Sequence, residues 1–263
     1  MFAIRHFSCG SPQLHFTYTL SSSPSTLYVP ITSHCNSRSL PATRGPSFVL
    51  PAVAVASLCR VRDIEQRIAQ WEPWCQWLDT QPAEASIGLP PFKSVAANSD
   101  VTCNLQQEPS CETLMREINE YKPKTVVIAG EGEPFLRPRL VLDLVEALSS
   151  SSPDTAIRIN TNGLVVPTTA YTVLKNTALS VALMTADSEQ YTELMQPTAP
   201  LDGTTDSSHH HARVTECIQT AIEAGITVEA TGVVRDNVDR EATERLAQQL
   251  GCTAPVRWRP YFP

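Results

Sequence analysis

The chain has 263 residues, which is long enough to bury a substantial core and to form one large α/β domain or two smaller ones. Its formal net charge of −7 argues against direct nucleic-acid binding, because such binding needs clustered Lys and Arg. No apolar stretch approaches the ~18 residues of a membrane-spanning helix, so we expect no membrane contact.

The N-terminal segment differs in composition from the rest of the chain. Residues 1–62 contain five Arg but no Lys, Asp or Glu, and they are rich in Ser, Thr and Pro. We predict that residues 1–57 are largely disordered, because they contain too few consecutive apolar residues to fold alone. An acid-poor, Ser-rich start that contains Arg is typical of an organelle transit peptide. It indicates a plastid or mitochondrial protein, otherwise a cytoplasmic one; a plain disordered tail or a misassigned gene start are the alternatives.

Residues 58–100 are predicted to form a helix and a Pro-rich linker. Apolar residues recur at steps of three and four between Leu58 and Trp71, as in an amphipathic helix. Pro73 should end this helix, and further prolines indicate that residues 80–100 are a linker.

Strands and helices alternate in the remainder of the chain. Ser110 and Asp187 are suited to begin helices, and Gly225 and Gly251 to end them. The predicted strands are residues 125–129, 156–159, 179–184, 226–234 and 256–261. We therefore predict an α/β fold over residues 101–263, a partial (β/α) barrel with parallel strands, although an open doubly wound sheet also fits. Both architectures place ligands at the carboxyl ends of the strands.

An acidic, glycine-containing turn follows the first of these strands. It consists of Gly130, Glu131, Gly132, Glu133 and Pro134. The glycines would let a ligand approach the backbone closely, and the proline would hold the exit rigid. Its acids would repel a pyrophosphate and favour a cation, such as an ammonium group or a metal. A plain strand-to-helix turn with solvated acids is the alternative.

A second polar turn follows the next strand. It consists of Asn160, Thr161, Asn162 and Gly163, whose residue types tolerate left-handed backbone conformations and offer hydrogen-bonding amides. A plain turn is again the alternative. Because one strand–helix unit separates the two turns, neighbouring parallel strands would present both at the same edge of the sheet.

The two turns resemble motifs of the radical S-adenosylmethionine (SAM) enzymes. The first turn is similar to the motif that binds the amino group of SAM in that family, and residues 157–163 resemble its next strand and turn. The branch associated with TatD-type nucleases is the most similar, since residues 182–184 and 256–261 also resemble it. The resemblance covers residues 108–197 and 213–261.

The resemblance implies a cofactor and specific roles. SAM would be the bound cofactor, beside a small-molecule ligand, and a functional link to a TatD-type nuclease is implied. Glu131 or Glu133 would face the SAM ammonium group, while Asn160 and Asn162 would contact its ribose or carboxylate region. Thr161 and Gly163 belong to the same pocket, and no residue is named as catalytic.

The chain departs from the family where the iron–sulfur cluster should bind. Radical SAM chemistry needs a [4Fe–4S] cluster held by three thiolates, usually in a CxxxCxxC motif after the first strand. Residues 101–105 resemble the start of that segment, but Gln107 and Ser110 occupy the positions of the next two cysteines. Cys103 is the remaining candidate ligand, so a complete cluster is doubtful. Ala182 and Met184 likewise replace polar residues of relatives.

Three interpretations remain open. The chain is a degenerate relative that binds a ligand without radical chemistry, or an active enzyme whose cluster exon is missing from the gene model. Alternatively, it is another α/β protein that serves as a non-catalytic binding or scaffold protein. We rank the degenerate or truncated relative first, because the changes at Ala182 and Met184 lie outside the missing segment.

Two further features have simple structural explanations. His209, His210 and His211 are predicted to lie in a solvated polar loop, since their spacing does not suit one metal ion. Arg257 and Arg259 alternate along a strand and would pair with the acids of the first turn or with an anionic ligand.

Overall fold

The computed structural model describes residues 16–48, 50–51, 54, 57, 86–87, 109–197 and 208–263. The strands of this part of the chain are β1 (Tyr18–Leu20), β2 (Ser23–Val29), β3 (Leu50–Pro51), β4 (Ser86–Ile87), β5 (Thr125–Ile128), β6 (Ala156–Thr161), β7 (Thr177–Ala182), β8 (Thr227–Val233) and β9 (Arg257–Arg259). Its α-helices are α1 (Cys111–Tyr121), α2 (Pro138–Ser151), α3 (Ser188–Met195), α4 (Ser208–Glu223) and α5 (Arg240–Gln249).

The main sheet has seven strands in the order β1-β2-β5-β6-β7-β8-β9. β1 is antiparallel to β2, and every other neighbouring pair is parallel. The sheet curls into a half-barrel, which brings Tyr28 on β2 within electrostatic range of Arg257 on β9. The predicted partial barrel of parallel strands is thus confirmed. β3 and β4 form a separate antiparallel pair.

Local sequence signals explain where the helices begin. The side chain of Ser110 accepts a hydrogen bond from the backbone nitrogen of Thr113, which caps α1. Asp187 caps α3 in the same way, and Asp239 caps α5. The predicted caps at Ser110 and Asp187 are therefore confirmed. Gly225 and Gly251 adopt the left-handed backbone expected after a helix end.

The two faces of the sheet differ in character. One face packs against the helices, and its apolar side chains are Leu27, Val29, Val126, Ile128, Ile157, Ile159, Leu179, Val181, Val228 and Ala230. Residues of the opposite parity form what we call the inner face. The inner face carries polar groups at its centre, among them Arg158, Asn160, Ser180 and Glu229.

The N-terminal segment contributes to the sheet. β2 pairs with β5 through the register Val29↔Ile128, and Leu27, Val29 and Ile31 are buried. The prediction that residues 1–57 are disordered is therefore wrong for residues 16–48. A few alternating apolar residues among Ser and Thr are enough to form strand β2, because β5 supplies the backbone hydrogen-bonding partner and the helices cover one face of the strand.

A carboxylate on helix α1 accepts hydrogen bonds from the start of this N-terminal segment. The carboxylate of Glu117 on α1 accepts hydrogen bonds from the backbone nitrogens of Phe16 and Thr17 at 2.9–3.1 Å. It also accepts one from the Thr17 hydroxyl at 2.7 Å. Glu117 therefore fixes the start of β1 although residues 1–62 contain no acid.

The C-terminal tail packs on the segment that follows β2. The backbone nitrogen of Phe262 donates to the carbonyl of Arg44 at 2.7 Å, and that of Ser47 donates to the carbonyl of Phe262 at 3.3 Å. The guanidinium of Arg44 lies 4.0 Å from the ring centre of Phe48. These contacts join the N-terminal and C-terminal parts of the half-barrel.

Several predictions concern residues outside the described part of the chain. They are the helix expected over residues 58–79, most of the linker at 80–100, residues 101–105 with Cys103, and residues 1–15. No helix among the described residues is long and apolar enough to cross a bilayer.

Candidate functional site

The two predicted turns lie side by side at one edge of the sheet. β5 and β6 are adjacent and parallel, with Ile128 opposite Ile159 near their carboxyl ends. The carboxylate of Glu133 reaches across, where Oε1 accepts from the Thr161 hydroxyl and Oε2 from the backbone nitrogen of Asn162, both at 2.7 Å. The predicted juxtaposition of the turns is confirmed.

The carboxylate of Glu133 is buried, and both of its oxygens accept hydrogen bonds from the protein. Only 2% of its surface is exposed, and Oε1 also accepts from the backbone nitrogen of Phe135 at 3.1 Å, which caps a short 3₁₀ helix, Pro134–Leu136. Burial raises the pKa of this carboxyl to about 7, while the three donors act in the opposite direction. Glu133 therefore links the two turns through its own hydrogen bonds.

Gly132 allows a close approach of the chain's own backbone. A Cβ atom at this position would overlap the carbonyl oxygens of Thr32 and His34. The backbone nitrogen of Glu133 donates to the same carbonyl of His34 at 2.8 Å. The glycine is thus required by the loop after β2, which packs directly on the acidic turn.

Asn162 holds that same loop. Its side-chain nitrogen donates to Asn36 Oδ1 at 2.8 Å and to Ser37 Oγ at 3.1 Å, while its Oδ1 accepts from the backbone nitrogen of Leu164. Gly163 follows with a φ of +79°, a left-handed conformation that favours glycine. Asn162 therefore organises the rim of the sheet.

Asn160 differs from Asn162 in its surroundings. Its side chain projects from the inner face of β6, opposite Ser180 on β7. Its Oδ1 atom is buried and has no hydrogen-bond partner among the described residues. An unpaired buried amide oxygen costs about 1–3 kcal/mol, so this atom is suited to accept a hydrogen bond from a ligand.

The turn after β7 is apolar. Ala182, Leu183 and Met184 are all buried, and Met184 has a φ of +64°, which is uncommon for a residue other than glycine. The backbone nitrogen of Met184 donates to the carbonyl of Thr231 at 3.0 Å. This turn presents backbone and aliphatic groups where the neighbouring turns present polar side chains.

The three histidines do not lie in a loop. They belong to the first turn of α4, where His210 and His211 are buried. A ring nitrogen of His211 lies 3.0 Å from the carbonyl oxygen of Thr185. The solvated-loop prediction is wrong because this helix begins earlier than its apolar pattern indicates. The expected pairing of Arg257 with the acidic turn is also wrong, since Arg257 pairs with Glu229.

The described residues do not fit a [4Fe–4S] cluster. Cys35 follows β2, the first parallel strand, but Ser39 and Ala42 stand four and seven residues later, where a CxxxCxxC motif would place cysteines. Burial raises the pKa of the Cys35 thiol, which disfavours the thiolate that binds iron. Within the described ranges, no group of three metal-binding side chains occurs. Cys103 lies outside these ranges.

Sequence reasoning missed the loop that carries Cys35. The available signal was the apolar alternation of Leu27, Val29 and Ile31 before a polar stretch. It was obscured by the surrounding Ser, Thr and Pro residues, which favour loops and disorder.

Two solved structures are similar to this chain. Native anSMEcpe with bound AdoMet matches with a TM-score of 0.50 and 11% identity over 89% of this chain and 50% of that chain. Streptococcus suis SuiB bound to S-adenosylmethionine matches with a TM-score of 0.47 and 16% identity over 59% of this chain and 34% of that chain. The chain thus spans half or less of the length of these two proteins.

A comparison with curated protein sequences finds no significant match. The family model described as the Radical SAM superfamily matches residues 96–250, which include β5 to β8 and all five described helices. That match covers more than half of the chain, and the half-barrel fold agrees with it. The chain belongs to the radical SAM superfamily.

Proposed function

We propose that this protein binds S-adenosylmethionine at the carboxyl ends of β5 and β6, without a complete [4Fe–4S] cluster. The observation that carries the proposal is the direct contact between the two turns, through Glu133, Thr161 and Asn162. Membership of the superfamily supports the choice of ligand.

Specific atoms are suited to the parts of SAM. Glu131 sits at the acidic turn and offers a carboxylate to the ammonium group, with Gly130 beside it. The unpartnered Oδ1 of Asn160 can accept a hydrogen bond from a ribose hydroxyl. Glu133, Thr161 and Asn162 act as positioning residues that hold both turns in place.

A scaffold without a cofactor is the second candidate function. The observation that favours it is that the polar side chains at this edge of the sheet already have partners within the protein. Glu133 and Asn162 both form their hydrogen bonds with other residues of the chain. Gly132 is likewise occupied by the loop after β2. In that case the half-barrel would serve as a binding surface for another molecule.

Calorimetric titration of the anaerobically purified full chain with SAM separates these candidates. We expect one SAM per chain, with affinity reduced about tenfold or more by Asn160→Ala and by Glu131→Gln, because each removes one hydrogen bond or charge contact. Glu146→Gln, an exposed change on α2, is the control and should leave the affinity unchanged. Absence of SAM binding would favour the scaffold.

Reconstitution with iron and sulfide addresses the cluster. We expect no stoichiometric iron and no thiolate-to-iron absorbance, because the described residues lack three clustered cysteines. Formation of a cluster that cleaves SAM would contradict this part of the proposal and support a working enzyme. Genomic sequence between the codons for Cys103 and Pro109 would then be the place to seek a skipped exon.

A further inference from the structure

Three arginines project from the inner face of the sheet. Arg158 lies on β6, and Arg257 and Arg259 lie on β9. The register sets Arg158 opposite Ala178 and Arg257 opposite Thr231, on the face away from the helix-packed core. Although β6 and β9 are not neighbours, Arg257 reaches across β8 to Ser180 on β7, which lies opposite Asn160 on β6. Arg259 lies close enough to Arg257 and Arg158 for their charges to act on it.

Acidic partners are few in this region. Arg257 forms an ion pair with Glu229 at 2.9 Å and donates to Ser180 Oγ at 2.9 Å. Among the described residues, Arg158 and Arg259 form no ion pair. The Nε atoms of Arg158 and Arg257 are buried and have no hydrogen-bond partner in the described part of the chain.

The arginines also repel one another. Burial, followed by repulsion from Arg257, Arg44 and Arg158, lowers the pKa of Arg259 to about 10. A positive cluster of this kind is costly to bury without a counter-charge, and it is conspicuous in a chain of net charge −7. A bound anion would remove both the repulsion and the unpaired donors.

We propose that the inner face binds the phosphate or carboxylate group of a small substrate, held by Arg158, Arg257 and Arg259. A guanidinium presents a planar pair of donors that matches the oxygens of either group. Asn160 is the next residue after Arg158 on the inner face of β6, so the substrate would lie beside the proposed SAM site. This inference therefore rests on the proposed function and specifies its substrate class.

Thermal unfolding of the full chain at constant ionic strength tests the proposal. Inorganic phosphate and malonate are titrated separately, with and without SAM, so that phosphate and carboxylate recognition can be told apart. We expect at least one of the two anions to raise the melting temperature of the wild type, through preferential binding to the folded state. Arg158→Gln and Arg259→Gln should each weaken that anion's binding tenfold or more.

Arg139→Gln is the matched control, because the Arg139 side chain on α2 is 94% exposed. It should respond to anions as the wild type does. If a glutamine variant does not fold, Arg158→Lys or Arg259→Lys replaces it, and the loss of the planar donor pair should still weaken binding severalfold.

Two results would overturn the inference. One is a wild type that responds to neither anion, which would mean that the arginines are satisfied within the chain. The other is an equal anion response in wild type, inner-face variants and control. Anion binding without SAM binding would instead refute the proposed function and leave the anion site standing.

Discussion

Glu133 shows how a single buried carboxylate can organise a site without facing its ligand. It accepts hydrogen bonds from Phe135, Thr161 and Asn162, which belong to two different turns. The pKa of this carboxyl is raised to about 7, mainly by burial. The folded protein therefore binds a proton on Glu133 at a pH where the unfolded chain has released it.

The pH dependence of stability follows from that shift. The contribution of Glu133 is fully present below the unfolded pKa of about 4.5, and it is lost as the pH rises through about 7. We expect the free energy of unfolding of the wild type, relative to Glu133→Gln, to fall by up to about 3 kcal/mol over this window. Urea unfolding at a series of pH values measures it.

Glu146→Gln provides the control for this series, because Glu146 is exposed on α2. Its stability difference from the wild type should change little with pH. A relative stability of the wild type that stays nearly constant between pH 4.5 and 7 and falls only below pH 4.5 would show that the three donors outweigh burial.

A second prediction at the scale of one residue concerns Gly132. Gly132→Ala should lower the free energy of unfolding by about 1–3 kcal/mol or more, because the new methyl group must displace the backbone of Thr32 and His34. Gly225→Ala is the comparison, since its Cβ meets open space and costs about 1 kcal/mol for its left-handed backbone alone. Equal losses in the two variants would argue against a tight contact at Gly132.

The sequence predicts which residues form the two turns, and it predicts their juxtaposition, because neighbouring parallel strands end at the same edge. It does not predict that Glu133 turns inward while Asn160 keeps an unpaired oxygen. Those outcomes depend on the loop after β2, which is far away in sequence and packs on both turns.

At the scale of elements, α1 and β1 are linked by one acid. Glu117→Ala should destabilise the protein by about 1–3 kcal/mol, because it leaves the buried backbone nitrogen of Phe16 and the partly buried one of Thr17 without their acceptor. Glu120→Ala on the exposed side of the same helix should cost much less. Thermal unfolding distinguishes the two, and equal effects would contradict a specific role for Glu117.

The helices and central strands were predictable because their signals are local. Capping side chains mark the starts of α1 and α3, at Ser110 and Asp187, and apolar runs mark the central strands. The start of α4 was not predictable in this way, because the first turn of this helix is the polar run that ends at His211. Burial of that turn depends on contacts such as the one between His211 and Thr185, which no local pattern reveals.

At the scale of the whole molecule, the N-terminal strands complete the sheet. Deletion of residues 1–48 would expose the edge of β5 and the apolar groups that β2 covers. We expect the truncated chain to lose cooperative thermal unfolding. A truncated chain that unfolds as cooperatively as the full chain would contradict this, and it would favour the prediction that this segment is a removable transit peptide.

The composition of residues 1–57 led to the wrong prediction of disorder, because it does not report the partners that these residues have in other parts of the chain. The few apolar side chains of β2 are buried by α1 and the sheet, and the acid that fixes β1 comes from Glu117. Composition reports whether a segment can fold alone, and β2 folds only as one strand of a larger sheet.

The central claim is that SAM binds where the turns after β5 and β6 meet. Amide hydrogen exchange of the full chain, followed by mass spectrometry with and without SAM, tests it most directly. We predict slower exchange in peptides that cover residues 130–136 and 157–163, and unchanged exchange in peptides from α2. Protection confined to other parts of the chain, or none at saturating SAM, would contradict the account.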